Sequence, residues 1–265
     1  MEDIKNIKAA LTHAGKFHAD DVFSAAFLKI LNPKIEIIRS NIVFDYFDGL
    51  VFDIGMGKFD HHMATNEKRS NGKPYASFGK LWKEFAPSIY GSYIYESIDR
   101  RFIEDLDVSD NTGSYNALAF SIDALNPIDT NNNDLEFLGA VKFAKLILEN
   151  LIDKYKRHEE DLEKVKKYYE RAKDKRIIIL DEALYYKDFL PLTEAIYVVY
   201  PSNRGGYACQ GVTINADTTV LKKAFPKEWV FNLPPYLRFC HTSRFLVAAD
   251  TFDDIMRAAN EALND

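Results

Sequence analysis

The stretch GLVFDIGMGKFDHHM (residues 49–63) joins a nearly uninterrupted apolar run to a short segment rich in acids and histidines. The run GLVFDIG has the length of a strand, contains one acid and ends at a glycine. Such runs are typical of a mostly parallel sheet that is covered by helices on both faces. The stretch therefore predicts an α/β fold. It also places Asp53 at the end of a strand, with Asp60, His61 and His62 after a glycine-bearing turn.

The segments on either side alternate between strand-like and helix-like patterns. Residues 7–15 and 34–40 are short runs of β-forming character. Apolar residues at helical spacing occur over 19–33, 74–87 and 93–110. Together with the run in 49–55, these segments predict an N-terminal, mostly parallel sheet that is flanked by helices.

The pattern changes from about residue 134 to 176, where apolar residues recur at steps of three, four or seven between charged ones. This spacing predicts one or two long amphipathic helices. The run RIIILDEAL (176–184) then opens a second region that contains strands. We expect an N-terminal domain over 1–134, a connecting helical region over 135–176 and a smaller C-terminal α/β domain over 177–265.

Composition excludes several classes of protein. A net charge of −6 argues against a protein that binds nucleic acid through its overall charge, although a local basic groove stays open. Two cysteines, Cys209 and Cys240, form neither a disulfide framework nor a cysteine-rich zinc site. The N-terminal residues lack a signal-peptide pattern, and no segment has the roughly 20 apolar residues of a membrane span. A cytoplasmic protein without membrane contact is therefore expected.

The two predicted strand-end loops share one kind of chemistry. They contain four of the six histidines, namely His13, His18, His61 and His62. Imidazole and carboxylate are ligands that Mn, Fe and Zn accept, whereas Mg prefers oxygen. Two ions about 3.5–4 Å apart would need several such ligands and a bridging carboxylate. Taken singly, each residue is explained as well by helix capping or another structural role. Taken together at strand ends, they favour a shared metal site.

Six ordered blocks along the chain carry a resemblance to a known family. They are THAGKFHADD (12–21), FDIGMGKFDHHM (52–63), ASFGKLW (76–82), DVSDNTG (107–113), RGGYACQ (204–210) and FCHTSRF (239–245). The set resembles the melanocyte-proliferating-gene (Myg) family. This family is a branch of the DHH phosphoesterase superfamily, which includes RecJ-type exonucleases and family II pyrophosphatases. The resemblance implies that 1–134 form a DHH-type catalytic domain and that 177–265 form a substrate-binding domain.

The resemblance also implies roles for individual residues around two divalent ions. The implied metal ligands are His13, His18, Asp20, Asp53, His61 and Asp110. Asp53 would bridge the ions, and His62 would face the substrate phosphate, so these two form the implied catalytic pair. Asp107, one helical turn before Asp110, is the alternative acid of the fourth motif. Asp60 is expected to fix a histidine rather than to bind metal.

The C-terminal segment SNRGGY (202–207) suits a phosphate. Gly205 and Gly206 would let the backbone approach a ligand, and Arg204 can bind a phosphate through two hydrogen bonds. A hairpin turn with a solvated arginine is the alternative. The resemblance implies substrate binding across a cleft between two domains, with a second group of residues on the same side as Arg204. That group is His241, Ser243 and Arg244.

We expect a metal-dependent phosphodiesterase that cleaves RNA, DNA or a small nucleotide in a 3′–5′ exonuclease-like reaction. Mn²⁺ is the expected ion, with Mg²⁺, Zn²⁺ and Fe²⁺ as alternatives. The expected partner is a nucleotide or a short single-stranded nucleic acid, and a homodimer is one option for the assembly. A small-molecule phosphatase or pyrophosphatase and a non-catalytic nucleotide-sensing module are the rival functions. The chain departs from the family pattern at Ala14, Lys16 and Arg244, all near the expected substrate pocket.

Overall fold

A computed structural model describes residues 4–63, 67–129 and 133–265. The chain divides into two compact units, Met1–Lys156 and Arg157–Asp265. The division falls within the predicted connecting region, inside a helix that spans Asp134–Arg171. The predicted α/β class is confirmed, because the first unit has a parallel sheet with helices around it and the second has a mixed sheet.

The first unit is organised around three parallel strands in its described part. They are β1 (Ala9–Thr12), β2 (Glu36–Arg39) and β3 (Leu50–Val51), in the order β2-β1-β3. The last three residues of β1 are buried, as expected for a central strand that is covered on both faces. Since the carboxyl ends of parallel strands meet at one edge, the loops after β1 and β3 start beside each other.

Five helices pack around this sheet in the described part of the unit. They are α1 (Ala19–Leu31), α2 (Ser77–Ile98), α3 (Glu104–Thr112), α4 (Ala117–Asp123) and the start of α5 (Asp134–Arg171). The break between the predicted helices over 74–87 and 93–110 is present inside α2. Gly91 has a non-helical backbone with a φ of 80°, which only glycine adopts readily, so α2 consists of two helical segments that meet at a kink. A wider turn over Asp99–Ile103 then leads into α3.

Aromatic side chains hold α1 against α2. Phe23 stacks on Phe78 with ring centroids 5.6 Å apart, and Phe27 lies 5.0 Å from Trp82. All four rings are fully buried, and burial of each contributes on the order of 2–3 kcal/mol. The two helices that begin next to the strand-end loops are therefore fixed relative to each other.

The second unit contains a mixed sheet of order β4-β5-β6-β8-β7 in its described part. Its elements are β4 (Ile177–Ile179), β5 (Tyr197–Pro201), β6 (Tyr207–Gly211), α6 (Glu228–Phe231), β7 (Phe239–Cys240), β8 (Leu246–Ala249) and α7 (Phe252–Asn264). Only the β4–β5 pair is parallel. Helix α7 packs on this sheet through Ile255 and a row of alanines.

Over the described residues, every helix is too short or too polar to cross a membrane.

Candidate metal centre

Backbone contacts within the loop after β3 fix the position of Asp53 at the end of the strand. Phe52 and Phe59 are buried and pair as an isolated bridge, and the Asp53 amide donates to the Phe59 carbonyl at 3.0 Å. Asp53 itself adopts a left-handed φ of 56°. Aspartate tolerates this conformation better than most residues, and such backbone positions are concentrated at functional sites. The loop therefore turns sharply at the strand end and returns with residues 60–62 beside Asp53.

The two carboxylate oxygens of Asp53 face different histidines. Oδ2 lies 3.3 Å from His13 Nε2, and Oδ1 lies 3.3 Å from His61 Nδ1. The Ser77 hydroxyl donates to Oδ1 at 3.2 Å. Burial alone would raise the pKa of Asp53, but the hydrogen bonds from His13 and His61 outweigh it and hold the pKa below its usual range. Asp53 is thus an ionised, buried carboxylate at the centre of two clusters.

The first cluster joins the loop after β1 to Asp53. Candidate ligand atoms of His13, Asp21 and Asp53 lie within 4.8 Å of one another. Asp21 Oδ2 is buried and accepts no hydrogen bond from the described residues, while Oδ1 accepts from the His18 amide at 2.7 Å. Burial raises the pKa of Asp21 to about 7. Burial lowers the pKa of His13, but the hydrogen bond to Asp53 and the charge of Asp21 raise it to about 9.

The second cluster contains Asp20, His61 and Asp110, again within 4.8 Å. His61 Nε2 lies 2.9 Å from Asp110 Oδ2, and its Nδ1 lies 3.7 Å from Asp20 Oδ2. Asp20 also accepts the amides of Ser77 and Phe78 at the start of α2. Burial and the charge of Asp53 raise the pKa of Asp20. Burial opposes protonation of His61, but hydrogen bonds to Asp110 and Asp53 raise its pKa to about 10.

Asp60 orients His62. Its Oδ1 accepts from His62 Nδ1 at 2.8 Å, and its Oδ2 accepts the Met56 amide at 2.7 Å. The buried Lys80 donates to the Asp60 carbonyl at 2.5 Å, which holds this part of the loop against α2. The His62 side chain is 59% exposed, so it faces the cavity rather than the core. Because Nδ1 is engaged by Asp60, a contact of His62 with substrate would use Nε2.

Asp107 and Asp110 have different surroundings, although both lie on α3. Arg69 Nη2 lies 2.7 Å from Asp107 Oδ2, and the Gly79 amide donates to Oδ1 at 3.2 Å. A Cβ at position 79 would come within 1.9 Å of Asp107 Oδ2, so this packing requires glycine. Burial raises the pKa of Asp107 to about 7. Asp110 thus lies among the candidate ligands, whereas Asp107 forms a buried ion pair with Arg69.

A matched pair of variants separates these two acids. Asp110→Ala should reduce bound metal and change the free energy of unfolding in chelator by less than about 1 kcal/mol, because the side chain is partly exposed beside other acids. Asp107→Ala should keep its metal and lose about 3 kcal/mol, because a buried ion pair is broken. Metal content after Mn²⁺ loading and urea unfolding in chelator measure both effects. Equal metal loss in the two variants would contradict the assignment.

His18 lies beside the clusters rather than within them. Its ring centroid is 6.0 Å from that of His13, and all three groups of candidate ligand atoms found among the described residues leave it out. Its backbone precedes α1 and donates to Asp21. His18 lines the cavity of about 450 Å³ that contains the candidate ligands. It is therefore placed to meet a ligand in that cavity.

Three residues of the site were not assigned a site role from the sequence. Asp21 lies in the first turn of α1, where an acid also complements the helix dipole, so the sequence alone offers a structural explanation for it. Ser77 and Lys80 lie in the block ASFGKLW, which carried the resemblance without a role. The sequence feature that could have pointed to Asp21 is the pair of adjacent acids that follows His18. The feature that could have pointed to Ser77 and Lys80 is the presence of two polar residues at the otherwise apolar start of a helix.

The turn with Arg204 joins β5 to β6 in the second unit. Gly205 and Gly206 adopt φ values of 83° and 66°, and a Cβ on Gly206 would lie 2.3 Å from the Ala249 carbonyl oxygen. Arg238 donates to the Gly205 carbonyl at 2.7 Å. Packing against β8 therefore explains glycine at 206 without a ligand. Arg204 lies exposed in this turn.

His241, Ser243 and Arg244 form a different turn, between β7 and β8. The Ser243 amide donates to His241 Nδ1 at 3.0 Å, and the Arg244 amide donates to the His241 carbonyl at 2.7 Å. Strand β8 begins at Leu246 next to this turn and ends at Ala249 next to the turn with Arg204. The expected common side is therefore wrong, because the register places the two turns at opposite ends of the sheet.

The donor set of the first unit fits divalent metal ions. Imidazole and carboxylate atoms are grouped within 4.8 Å in three sets, which are the two clusters above and a third that contains Asp53, Asp60, His61 and His62. Asp53 therefore belongs to the first cluster and to the third set. Burial and, after it, repulsion from the neighbouring Asp53 carboxylate raise the pKa of Asp20 and of Asp21. A bound cation would offset this repulsion and would accept the lone pair that Asp21 Oδ2 leaves without a hydrogen bond.

Comparison with known proteins gives one match. A family model named MYG1_exonuc, described as "Uncharacterised protein family (UPF0160)", matches residues 9–263. The match begins with β1 and ends within α7, so it covers both units and all six sequence blocks. No curated protein and no solved structure matches the chain.

Proposed function

Since the chain belongs to the MYG1_exonuc family, we propose that it is a metal-dependent hydrolase that cleaves a phosphodiester of RNA, DNA or a small nucleotide. This membership confirms the predicted resemblance to the Myg family, and the family name indicates an exonuclease-like function. The observation that carries the proposal is the position of Asp53, with one carboxylate oxygen towards His13 and the other towards His61. A carboxylate placed in this way is suited to bridge two metal ions.

The proposed centre would hold two divalent ions, with Asp53 facing a histidine from each group of ligands. His13 and Asp21 would hold the first, and Asp20, His61 and Asp110 would hold the second. Bound ions would lower the pKa of water and offset the negative charge on the phosphate. The mixture of imidazole and carboxylate ligands favours Mn²⁺, with Fe²⁺ and Zn²⁺ as chemically similar alternatives and Mg²⁺ as the harder one.

His62 is proposed to contact the substrate phosphate. It is the exposed member of the histidine pair, its ring stacks on His61 at 4.2 Å between centroids, and Asp60 fixes its orientation. In the protonated form, Nδ1 donates to Asp60 and Nε2 would donate to a phosphate oxygen. A charge-assisted hydrogen bond of this kind would stabilise the charge that develops during hydrolysis.

In the second unit, Arg204 is proposed to contact a phosphate of the substrate. An exposed guanidinium offers a planar pair of donors to phosphate, which suits a contact with the nucleic-acid backbone. His241 and Ser243 lie in a separate turn at the other end of the sheet. We therefore assign the two turns to different contacts and do not expect one phosphate to meet both.

The division of roles between the paired histidines predicts different losses. His61→Ala should weaken metal binding by ~100-fold or more, because a ligand of the second cluster is removed and losing even an outer partner costs roughly 10- to 100-fold. His62→Ala should keep its metal and lower kcat by roughly 100- to 1,000-fold, because only a contact to the phosphate is lost. Metal titration and steady-state kinetics on a dinucleotide measure both. Comparable metal loss in the two variants would refute this division.

Turnover with and without metal tests the proposed reaction directly. The protein, stripped of metal with chelator and then supplied with Mn²⁺, should cleave a dinucleotide or a short single-stranded oligonucleotide and should be inactive without the ion. Phosphate monoesters and pyrophosphate serve as comparison substrates. Cleavage of these alone would favour a phosphatase. Binding of nucleotides without cleavage of any substrate would favour a non-catalytic module.

A further inference from the structure

A second cavity continues from the candidate metal centre. It has a volume of about 740 Å³, within the usual range for small-molecule sites of roughly 300–1,000 Å³. It shares wall residues with the cavity of the candidate ligands, namely Lys16, His18, His61, His62 and Asp110. A molecule with one end at the metal centre would therefore have its other end in this second cavity.

Two exposed aromatic rings line the second cavity away from the shared wall. Tyr115 is 81% exposed and Phe120 is 64% exposed, and their ring centroids lie 6.2 Å apart at an interplanar angle of 47°. A pair of large rings left open in a cavity is a feature of ligand-binding surfaces. Both rings are therefore accessible to a ligand in this cavity.

The backbone fixes Tyr115 relative to the candidate ligand Asp110. Gly113 ends α3 with a φ of 68°, and its amide donates to the Ser109 carbonyl at 2.8 Å. The Ser109 hydroxyl in turn donates to the Ser114 carbonyl at 2.7 Å. The turn between Asp110 and Tyr115 is therefore tied back onto α3 at two points.

Phe120 is fixed by the next helix. The Asn116 side chain caps α4 by accepting the amides of Leu118 and Ala119 at 3.0 and 3.1 Å. Close by, Lys16 pairs with Asp123 at 2.7 Å, and both line the same cavity. The cavity thus combines two aromatic side chains on fixed backbone segments with Lys16, a residue of the shared wall whose charge is paired with Asp123.

We propose that Tyr115 and Phe120 form a stacking site for the base of the nucleotide whose phosphate lies at the metal centre. This inference rests on the proposed function, because it takes the phosphate to be bound there. A flat ring joined to a phosphate through a sugar is the ligand that matches an aromatic surface next to a cluster of metal-binding groups. Stacking uses the π-face that every base has, so the site would accept all four bases with little preference.

The first experiment compares substrates with and without the base. On a dinucleotide, Tyr115→Ala and Phe120→Ala should each raise KM by roughly 5- to 150-fold, the range for loss of one base–aromatic stack. On a matched substrate in which one nucleoside is replaced by a base-free sugar, the same variants should differ from the unmutated protein by less than about twofold. Tyr115→Trp and Phe120→Trp should retain the low KM, because tryptophan stacks as well. Phe231→Ala, which removes an equally exposed ring of the second unit, serves as the control.

The second experiment needs no turnover. Adenosine monophosphate and ribose phosphate are titrated into the Mn²⁺-loaded protein by calorimetry. The unmutated protein should bind adenosine monophosphate with a lower Kd than ribose phosphate. In the double variant Tyr115→Ala/Phe120→Ala, the two Kd values should be equal. Equal affinity for the two ligands in the unmutated protein, or an advantage that survives in the double variant, would overturn the stacking site. A base-dependent affinity without hydrolysis of any substrate would refute the proposed reaction and keep the stacking site.

Discussion

Asp53→Asn is expected to lower kcat/KM on a dinucleotide by about a thousandfold, the largest effect of any single substitution in the site. A metal ion supplies several kcal/mol of charge stabilisation, and each 1.36 kcal/mol is a factor of ten in rate. Asp53 is the carboxylate that faces both clusters, so its neutral amide would weaken both ion sites at once. The loss should therefore appear in metal content as well as in turnover.

Asparagine is the right replacement because it keeps the local structure. It tolerates the left-handed φ of 56° at this position almost as well as aspartate. It also keeps an oxygen that can accept the hydroxyl of Ser77. A variant that folds normally and still loses activity would isolate the role of the negative charge.

The measurement combines steady-state kinetics, metal content after Mn²⁺ loading, and a circular dichroism spectrum that confirms folding. Ser77→Ala is a graded control, because it removes one hydrogen bond to Asp53 and should cost only about fivefold, in line with the roughly 1 kcal/mol of a typical hydrogen bond. An Asp53→Asn protein with more than a tenth of the original activity would show that this carboxylate does not bridge the ions.

The strand-end position of the site follows from the sequence. The apolar run before Asp53 and the histidines in two loops predict where ligands collect, because open parallel sheets place their sites at the carboxyl ends of strands. Sequence order does not give the order β2-β1-β3, in which the first strand lies beside the third. That order brings His13 next to Asp53, although the two residues are far apart along the chain.

Residues one helical turn apart could not be separated from the sequence alone. Asp107 and Asp110 both precede the glycine that ends α3, and either fits the fourth motif. Arg69, 38 residues before Asp107, donates a hydrogen bond to the buried Asp107 carboxylate. This contact distinguishes Asp107 from Asp110, which lies among the candidate metal ligands. The choice thus depends on a long-range contact that no local pattern records.

The second unit shows the same limitation in a sheet. The turn at 202–206 looks suited to an anion, and the family resemblance implied that His241, Ser243 and Arg244 lie on the same side. The pairing of β8 with β6 places them at opposite ends. Strand register, which is set by side-chain packing across the whole sheet, is what local patterns fail to specify.

Metal binding is expected to release about two protons at pH 7.5 and to weaken by roughly a hundredfold between about pH 8 and pH 7. In the metal-free protein, the pKa values of His13 and His61 are about 9 and 10, so both imidazoles carry a second proton and are positively charged at neutral pH. An imidazole that binds metal must lose that proton, and each displaced proton makes the affinity tenfold weaker per pH unit. Asp21, with a pKa of about 7, adds a third proton under more acidic conditions.

The effect of pH on the free energy of unfolding differs between the metal-free and the metal-loaded protein. A histidine whose pKa is raised on folding contributes stability that is complete below about pH 6.5 and is lost as the pH rises through its folded pKa. The metal-free protein should therefore become less stable between pH 7 and 10. The protein saturated with Mn²⁺ should gain stability only up to about pH 7 and then change little, because above that pH the tighter binding offsets the loss of stability of the metal-free form.

Calorimetric titration of Mn²⁺ in two buffers with different protonation enthalpies counts the released protons. The unmutated protein should release about two at pH 7.5, and His61→Gln should release about one, since its remaining charged imidazole is His13. His158→Gln, a substitution in the charged part of α5, should leave the number unchanged. Binding without proton release would mean that the two imidazoles are neutral before the metal arrives. The ion pairs of His13 and His61 with Asp53 would then not be the state from which the metal centre is assembled.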